Sequence, residues 1–186
     1  MASGYLITGG LHLDGLMDTF DGIFASKNKR LKAMKDSQVG AFGVLSLFFI
    51  TLIQIACLLR IQSQMISILP TCLFWGRFST LIFIDKFQYV SYKGKSISHK
   101  KYWNGFKRES LTSIIFILIL IFYYLISNNS NQNIIQNLIL LLIGFFISYK
   151  IPKILGNKIG GFNGDACGAS VVLVETIMLF INAILL

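Results

Sequence analysis

Five long apolar runs, separated by segments that are alternately basic and uncharged, constrain this chain more than any other feature. They cover roughly residues 39–59, 65–84, 111–126, 134–149 and 167–186. A hydrocarbon layer of about 30 Å takes about 20 helical residues to cross, so these runs predict transmembrane helices. The third and fourth, at about sixteen residues each, need flanking residues or local thinning of the bilayer to span. Pro70 is expected to kink the second run or to mark its first turn. Hydrophobic residues make up 54% of the 186 residues and charged residues 13%, with a mean hydropathy of +0.67. That composition excludes a soluble domain, and two prolines with three cysteines exclude collagen-like and disulfide-scaffold classes.

The cationic residues set an orientation. Lys27, Lys29, Arg30, Lys32 and Lys35 precede the first run; Lys86, Lys93, Lys95, Lys100, Lys101, Lys107 and Arg108 separate the second from the third; Lys150, Lys153 and Lys158 separate the fourth from the fifth. Fifteen of the seventeen basic residues thus fall on one side, with Arg60 opposite and Arg77 inside a run. By the positive-inside rule that side is cytoplasmic. Adding or dropping one span would put a basic loop on the wrong face. The fold expected is an all-α polytopic membrane bundle of about five transmembrane helices plus an N-terminal acidic helix, in a single membrane domain over 1–186. No secretory signal pattern is visible, because the first apolar stretch carries His12, Asp14 and Asp18.

Acidic residues are scarce, eight in all, yet Asp14, Asp18 and Asp21 fall within eight positions. On a helix they sit at i, i+4 and i+7, on one face within about two turns. Like charges so placed repel, and a hard divalent cation such as Mg²⁺ would relieve the conflict while keeping positions for waters and substrate phosphates. Capping a helix N-terminus is the alternative use of an aspartate there. Asp36, just ahead of the first span, suits a cap or a metal or catalytic role equally. Asp165 closes a glycine-rich turn, Gly160-Gly161-Phe162-Asn163-Gly164-Asp165, and either caps the last span or helps bind an anion at its N-terminus. This turn and the early aspartates come out on the same side of the membrane.

Arg77 and Glu175 lie well inside predicted spans, where a charge costs about 2.5 to 3.5 kcal/mol on insertion scales. They either neutralise each other or face a phosphate and a metal or polar substrate. His12 points away from the aspartates on a continuous helix and is a contact candidate. The stretch from Lys93 to Arg108 mixes basic residues and His99 with Tyr92, Tyr102, Trp103 and Phe106. Headgroup anchoring explains it, with recruitment of an anionic substrate as the minority reading. With no basic domain, nucleic acid is not an expected partner. Cys57, Cys72 and Cys167 show no metal-binding spacing and read as small apolar residues.

Thr8-Gly9-Gly10-Leu11-His12-Leu13-Asp14-Gly15-Leu16-Met17-Asp18-Thr19-Phe20-Asp21-Gly22, followed by Met34-Lys35-Asp36-Ser37-Gln38-Val39-Gly40-Ala41-Phe42-Gly43, closely resembles the cobalamin synthase family, adenosylcobinamide-GDP ribazoletransferase. Gly164-Asp165-Ala166-Cys167-Gly168-Ala169 with Glu175 resembles that family's second glycine-aspartate region. The resemblance implies an enzyme of the prokaryotic cytoplasmic (inner) membrane that uses Mg²⁺ to join adenosylcobinamide-GDP to α-ribazole, or its 5'-phosphate, releasing GMP. It implies that Asp14, Asp18 and Asp21 hold the metal and that one of Asp18, Asp21 and Asp36 accepts the proton of the attacking hydroxyl. His12, Arg77, Asp165 and Glu175 are then the candidate substrate contacts. Members usually carry further apolar sequence before the first motif, so the chain is expected to be a fragment or an N-terminally short form. Val171-Val172-Leu173-Val174-Glu175 is more apolar than the family's pattern there.

Two rivals stand beside this. A CDP-alcohol phosphotransferase also clusters aspartates, but its Asp-Gly is followed by Ala-Arg, where this chain has Leu16-Met17. A transporter or non-catalytic membrane subunit would use Arg77 and Glu175 as pathway charges.

Overall fold

The computed structural model describes residues 8–90, 102–127 and 131–185. Lys93, Lys95, His99, Lys100, Lys101 and Tyr92 of the basic loop, and the tip of the Asn-rich loop at 128–130, lie outside the described residues. The chain runs α1 (Leu11–Phe24), a short turn into α2 (Arg30–Ala33), α3 (Ala41–Arg60), α4 (Met65–Lys86), α5 (Phe106–Glu109), α6 (Leu111–Ser127), α7 (Asn131–Ile159) and α8 (Gly164–Leu185). Among the described residues extended pairing is confined to one isolated bridge, between Tyr89 and Phe162. The protein is an all-α bundle.

Of these helices α3, α4, α7 and α8 are long and apolar enough to cross a membrane. The third expected span, α6, is helical over 17 residues, or about 25 Å, shorter than the hydrocarbon layer, as its short apolar run predicts. The fourth expected span was too short. α7 has 29 residues, and Lys150, Lys153 and Lys158 belong to its last turns rather than to a loop. Pro152 does not stop it, since a membrane helix packed among neighbours tolerates the lost backbone bond. The stop comes at Gly160, whose φ of +88° lets the amides of Gly160 and Gly161 both turn back to the Gly156 carbonyl. Pro70 likewise lies inside α4, near its start.

Side-chain placement is that of a bundle in lipid. On α3 the outward residues are large and apolar, including Phe48, Phe49, Leu52 and Leu59, while the buried ones are Gly43, Ser46, Gln54 and Cys57. Small and polar residues meet neighbours because, without a hydrophobic drive between helices in lipid, close packing and hydrogen bonds hold them together. α8 is the hub, packed on α1, α3, α4 and α7. It is joined by Ser170 donating to Ser79 of α4 at 2.8 Å and by Gln54 of α3 donating to Thr176 at 2.7 Å. On the far side of α4, Ser148 of α7 donates to the Trp75 carbonyl at 3.0 Å. Two apolar cores result: one around Trp75, Phe78, Met178 and Leu179, the other around Leu16, Phe83, Phe162 and Val172, beneath the acidic helix.

Candidate active site

Gly9 and Gly10, with φ of +61° and +76°, take the left-handed conformation that glycine adopts without steric cost, and turn the chain into α1. Because α1 runs unbroken from Leu11 to Phe24, Asp14, Asp18 and Asp21 do fall on one face. The opposite end of the sequence joins them through a close helix crossing. A Cβ on Gly15 would lie 2.6 Å from the carbonyl oxygen of Asp165 and 2.9 Å from its Cα; one on Gly168 would lie 3.2 Å from the Cα of His12. The backbone of α8 therefore enters against α1 with no side chain between them at Gly15, and Asp165 joins the field of Asp14 and Asp18.

The consequence is written in Asp18. Burial first, then the charges of Asp14, Asp165 and Asp21, push its carboxyl up from 3.8 to about 7. Lys35 is the cation that acts on Asp165 across this gap. Among the described residues no three ligand-type side chains are yet close enough together to enclose an ion. The donor chemistry nonetheless fits a hard divalent cation: carboxylate oxygens in mutual repulsion, one of them driven toward protonation by burial and by its neighbours' charge.

Asp21 has a second task. Its Oδ2 accepts the Gly40 amide at 2.7 Å and its Oδ1 the Gly43 amide at 2.8 Å, so it caps α3 from another helix. Glycine at 40 and 43 gives the carboxylate its room, since a Cβ at either would lie 2.5 Å from one of its oxygens and push it off these amides. That displaces the capping role considered for Asp36, which is exposed and accepts the Gln38 amide at 3.1 Å in a local turn beside Leu31, Lys32 and Lys35. Asp165 does not cap α8 either. Asn163 does, its Oδ1 taking the Ala166 amide at 2.8 Å while its Nδ2 donates to Asp165 Oδ2 at 3.3 Å. Asparagine is a favoured cap, so this signal was present in the sequence; the influence of the Lys35 charge on Asp165, 130 positions away, had none.

Arg77 and Glu175 meet each other. Arg77 Nη1 donates to Glu175 Oε1 at 2.6 Å, the glutamate 2% exposed and the arginine 48%. Glu175 fits against α4 because position 76 is glycine, where a Cβ would come within 2.6 Å of its Cγ. Glu175 lies ten residues, about 15 Å of helix, beyond Asp165 and is not part of the carboxylate group. His12 is half-buried; burial and then the charge of Arg77 hold its imidazole below its ordinary value, so it is neutral at neutral pH. As its place on the helix implies, it faces a groove of about 600 Å³ between α1, α4, α8 and the segment leading into α6, rather than the aspartates.

This is a multi-pass membrane protein whose ionisable residues gather at one end of the bundle, where the first and last helices cross. Comparison with known proteins makes the assignment narrower. The family model described as cobalamin-5-phosphate synthase matches residues 1–183. An adenosylcobinamide-GDP ribazoletransferase of Prochlorococcus marinus is 44% identical over the whole chain and 72% of its own length. A second from that species is 38% identical over 98% of the chain and 71% of its own length, and one from Desulforamulus reducens is 32% identical over 94% and 68%. No solved structure matches the chain. The chain belongs to the cobalamin-5-phosphate synthase family, membrane transferases of cobalamin biosynthesis. Neither the CDP-alcohol phosphotransferase reading nor the transporter reading gains support.

Proposed function

We propose that this chain joins adenosylcobinamide-GDP to α-ribazole, or to its 5'-phosphate, releasing GMP, at the cytoplasmic face of a prokaryotic inner membrane and with Mg²⁺ bound. The observation that carries the proposal is the Gly15 crossing, which brings Asp165 into the field of the α1 aspartates. Asp14, Asp18 and Asp165 are the side chains that would hold the cation. When bound, it neutralises charge on the diphosphate and on the departing GMP. Asp21 adds negative field while fixing α3.

The chain's own residues have three tasks. A ribose hydroxyl attacks the phosphorus bonded to cobinamide, GMP leaves, and the hydroxyl proton passes to a carboxylate of this group that the cation does not occupy. Arg77 offers its remaining guanidinium donors to a substrate phosphate, oriented by Glu175. Lysines at the same end of the bundle, Lys35 foremost, draw anionic substrate to the surface. The cytoplasmic orientation rests on the distribution of these cations.

Membranes carrying the chain are given adenosylcobinamide-GDP and α-ribazole, with Mg²⁺ or with EDTA. GMP release that appears only with the chain and only with the metal supports the proposal; release unaffected by EDTA contradicts the metal, and absence of release contradicts the reaction.

A further inference from the structure

The groove beside His12 has no part in the ion-centred chemistry, yet it borders that site. On α4 the lining residues are Thr80, Leu81 and Ile84; on α8, running the opposite way, they are Val171, Gly168, Cys167 and Gly164, and His12 of α1 and Trp103 stand between them. Aliphatic walls, an aromatic face and a few polar groups, at about 600 Å³, are the make-up of a site for one small organic ligand.

The chemistry of the lining points to a ligand. Among the described residues it is aliphatic and aromatic apart from His12, Thr80 and the acid Glu109, a surface that suits a flat, uncharged heterocycle. His12 can donate one hydrogen bond or accept one from a ring nitrogen, and an indole offers a stacking face that suits any planar base. Position agrees: His12 is two residues before Asp14 and Gly164 immediately precedes Asp165, so a nucleoside with its base in the groove presents its sugar toward the carboxylates. Glycine at 168 lets α8 pack directly on the backbone of Leu11 and His12, which sets His12 at the edge of the groove.

We infer that the groove between α1, α4 and α8 receives the aromatic base of the acceptor nucleoside, with Ile84, Trp103 and His12 setting which base is accepted. The inference deepens the transferase reading and rests on it for the identity of the nucleoside. A larger corrinoid donor, with its diphosphate, stays on the carboxylate side.

The test uses the whole chain in detergent or nanodiscs. Ile84→Phe fills the groove and Trp103→Ala removes its aromatic face, so misfolding of one leaves the other to decide. In each, KM for α-ribazole should rise about tenfold while KM for adenosylcobinamide-GDP stays within about twofold. Titrating α-ribazole should also quench tryptophan emission, and Trp103→Phe should abolish the quench while buried Trp75 remains. A rise confined to the donor KM, or both KM values unchanged as an acyl chain in the groove would leave them, overturns the assignment. Quenching by α-ribazole without any GMP release would refute the transferase reading and leave the base groove standing.

Discussion

The Asp165 carbonyl and Cα occupy the space into which a side chain on Gly15 would project. The convergence of two sequence-distant acidic segments therefore depends on one missing methyl group. Gly15→Ala should push α8 away from α1, at a cost of about 1–3 kcal/mol for overpacking a close crossing. The expected outcome is a lower unfolding midpoint and loss of most GMP release, because Asp165 is displaced from Asp14 and Asp18. Unchanged activity would mean that the crossing is not needed.

Asp18→Asn should abolish Mg²⁺-dependent GMP release, by about a hundredfold or more, while the protein still inserts and extracts as wild type does. Full activity would remove Asp18 from the site.

The same residue predicts a pH dependence in the absence of divalent cation. Its folded pKa of about 7 lies above the ordinary 3.8, so between roughly pH 4 and pH 7 the folded state holds a proton that the unfolded state has lost. Stability must then fall as pH rises through that window. Thermal unfolding with EDTA should give a higher midpoint at pH 5 than at pH 8, with the difference modest because the carboxyl is partly exposed. It should shrink in Asp18→Asn or on adding Mg²⁺; a midpoint that rises with pH and ignores the substitution would contradict the arrangement.

Asp21 and Asp36 separate structural from incidental carboxylates. Asp21→Ala removes both acceptors from the start of α3 and should cost about 1–2 kcal/mol of stability, measured by thermal or denaturant unfolding. Asp36→Ala loses one exposed turn contact and should change stability by less than about 0.5 kcal/mol.

Removing one partner of a buried ion pair costs about 3–5 kcal/mol, whereas replacing both with apolar residues is often neutral. Arg77→Met, which strips the buried Glu175 of its partner, should accordingly be strongly destabilising, and the double substitution Arg77→Met with Glu175→Met should recover much of the loss. If Arg77 also meets a substrate phosphate, the double variant will be folded yet slow.

Much of this was legible in the sequence because two periodicities carried it. The apolar runs at membrane length announced the bundle, and i, i+4, i+7 spacing placed Asp14, Asp18 and Asp21 on one face before any coordinates. The partition of the basic residues put the Asp165 turn on the same side, where the structure packs it on Gly15. What the sequence hid was division of labour among like residues. Nothing in the spacing distinguishes Asp21, which caps α3 through Gly40 and Gly43, from Asp18, which has no such bond. Nor could it choose between the two readings of Arg77 and Glu175, since a pair 98 positions apart is joined only by the packing of α4 on α8. The end of α7 was misplaced because basic residues were read as a loop, whereas lysines extend a helix as readily as they flank one.

Binding of Mn²⁺, as a paramagnetic stand-in for Mg²⁺, tests the shared site most directly when followed by electron paramagnetic resonance in wild type, Asp14→Asn and Asp165→Asn. The account predicts one tight site that either substitution weakens by at least about tenfold, with the double variant little worse than the singles, because carboxylates from both ends of the chain serve one ion. Binding that survives Asp165→Asn unchanged would contradict it.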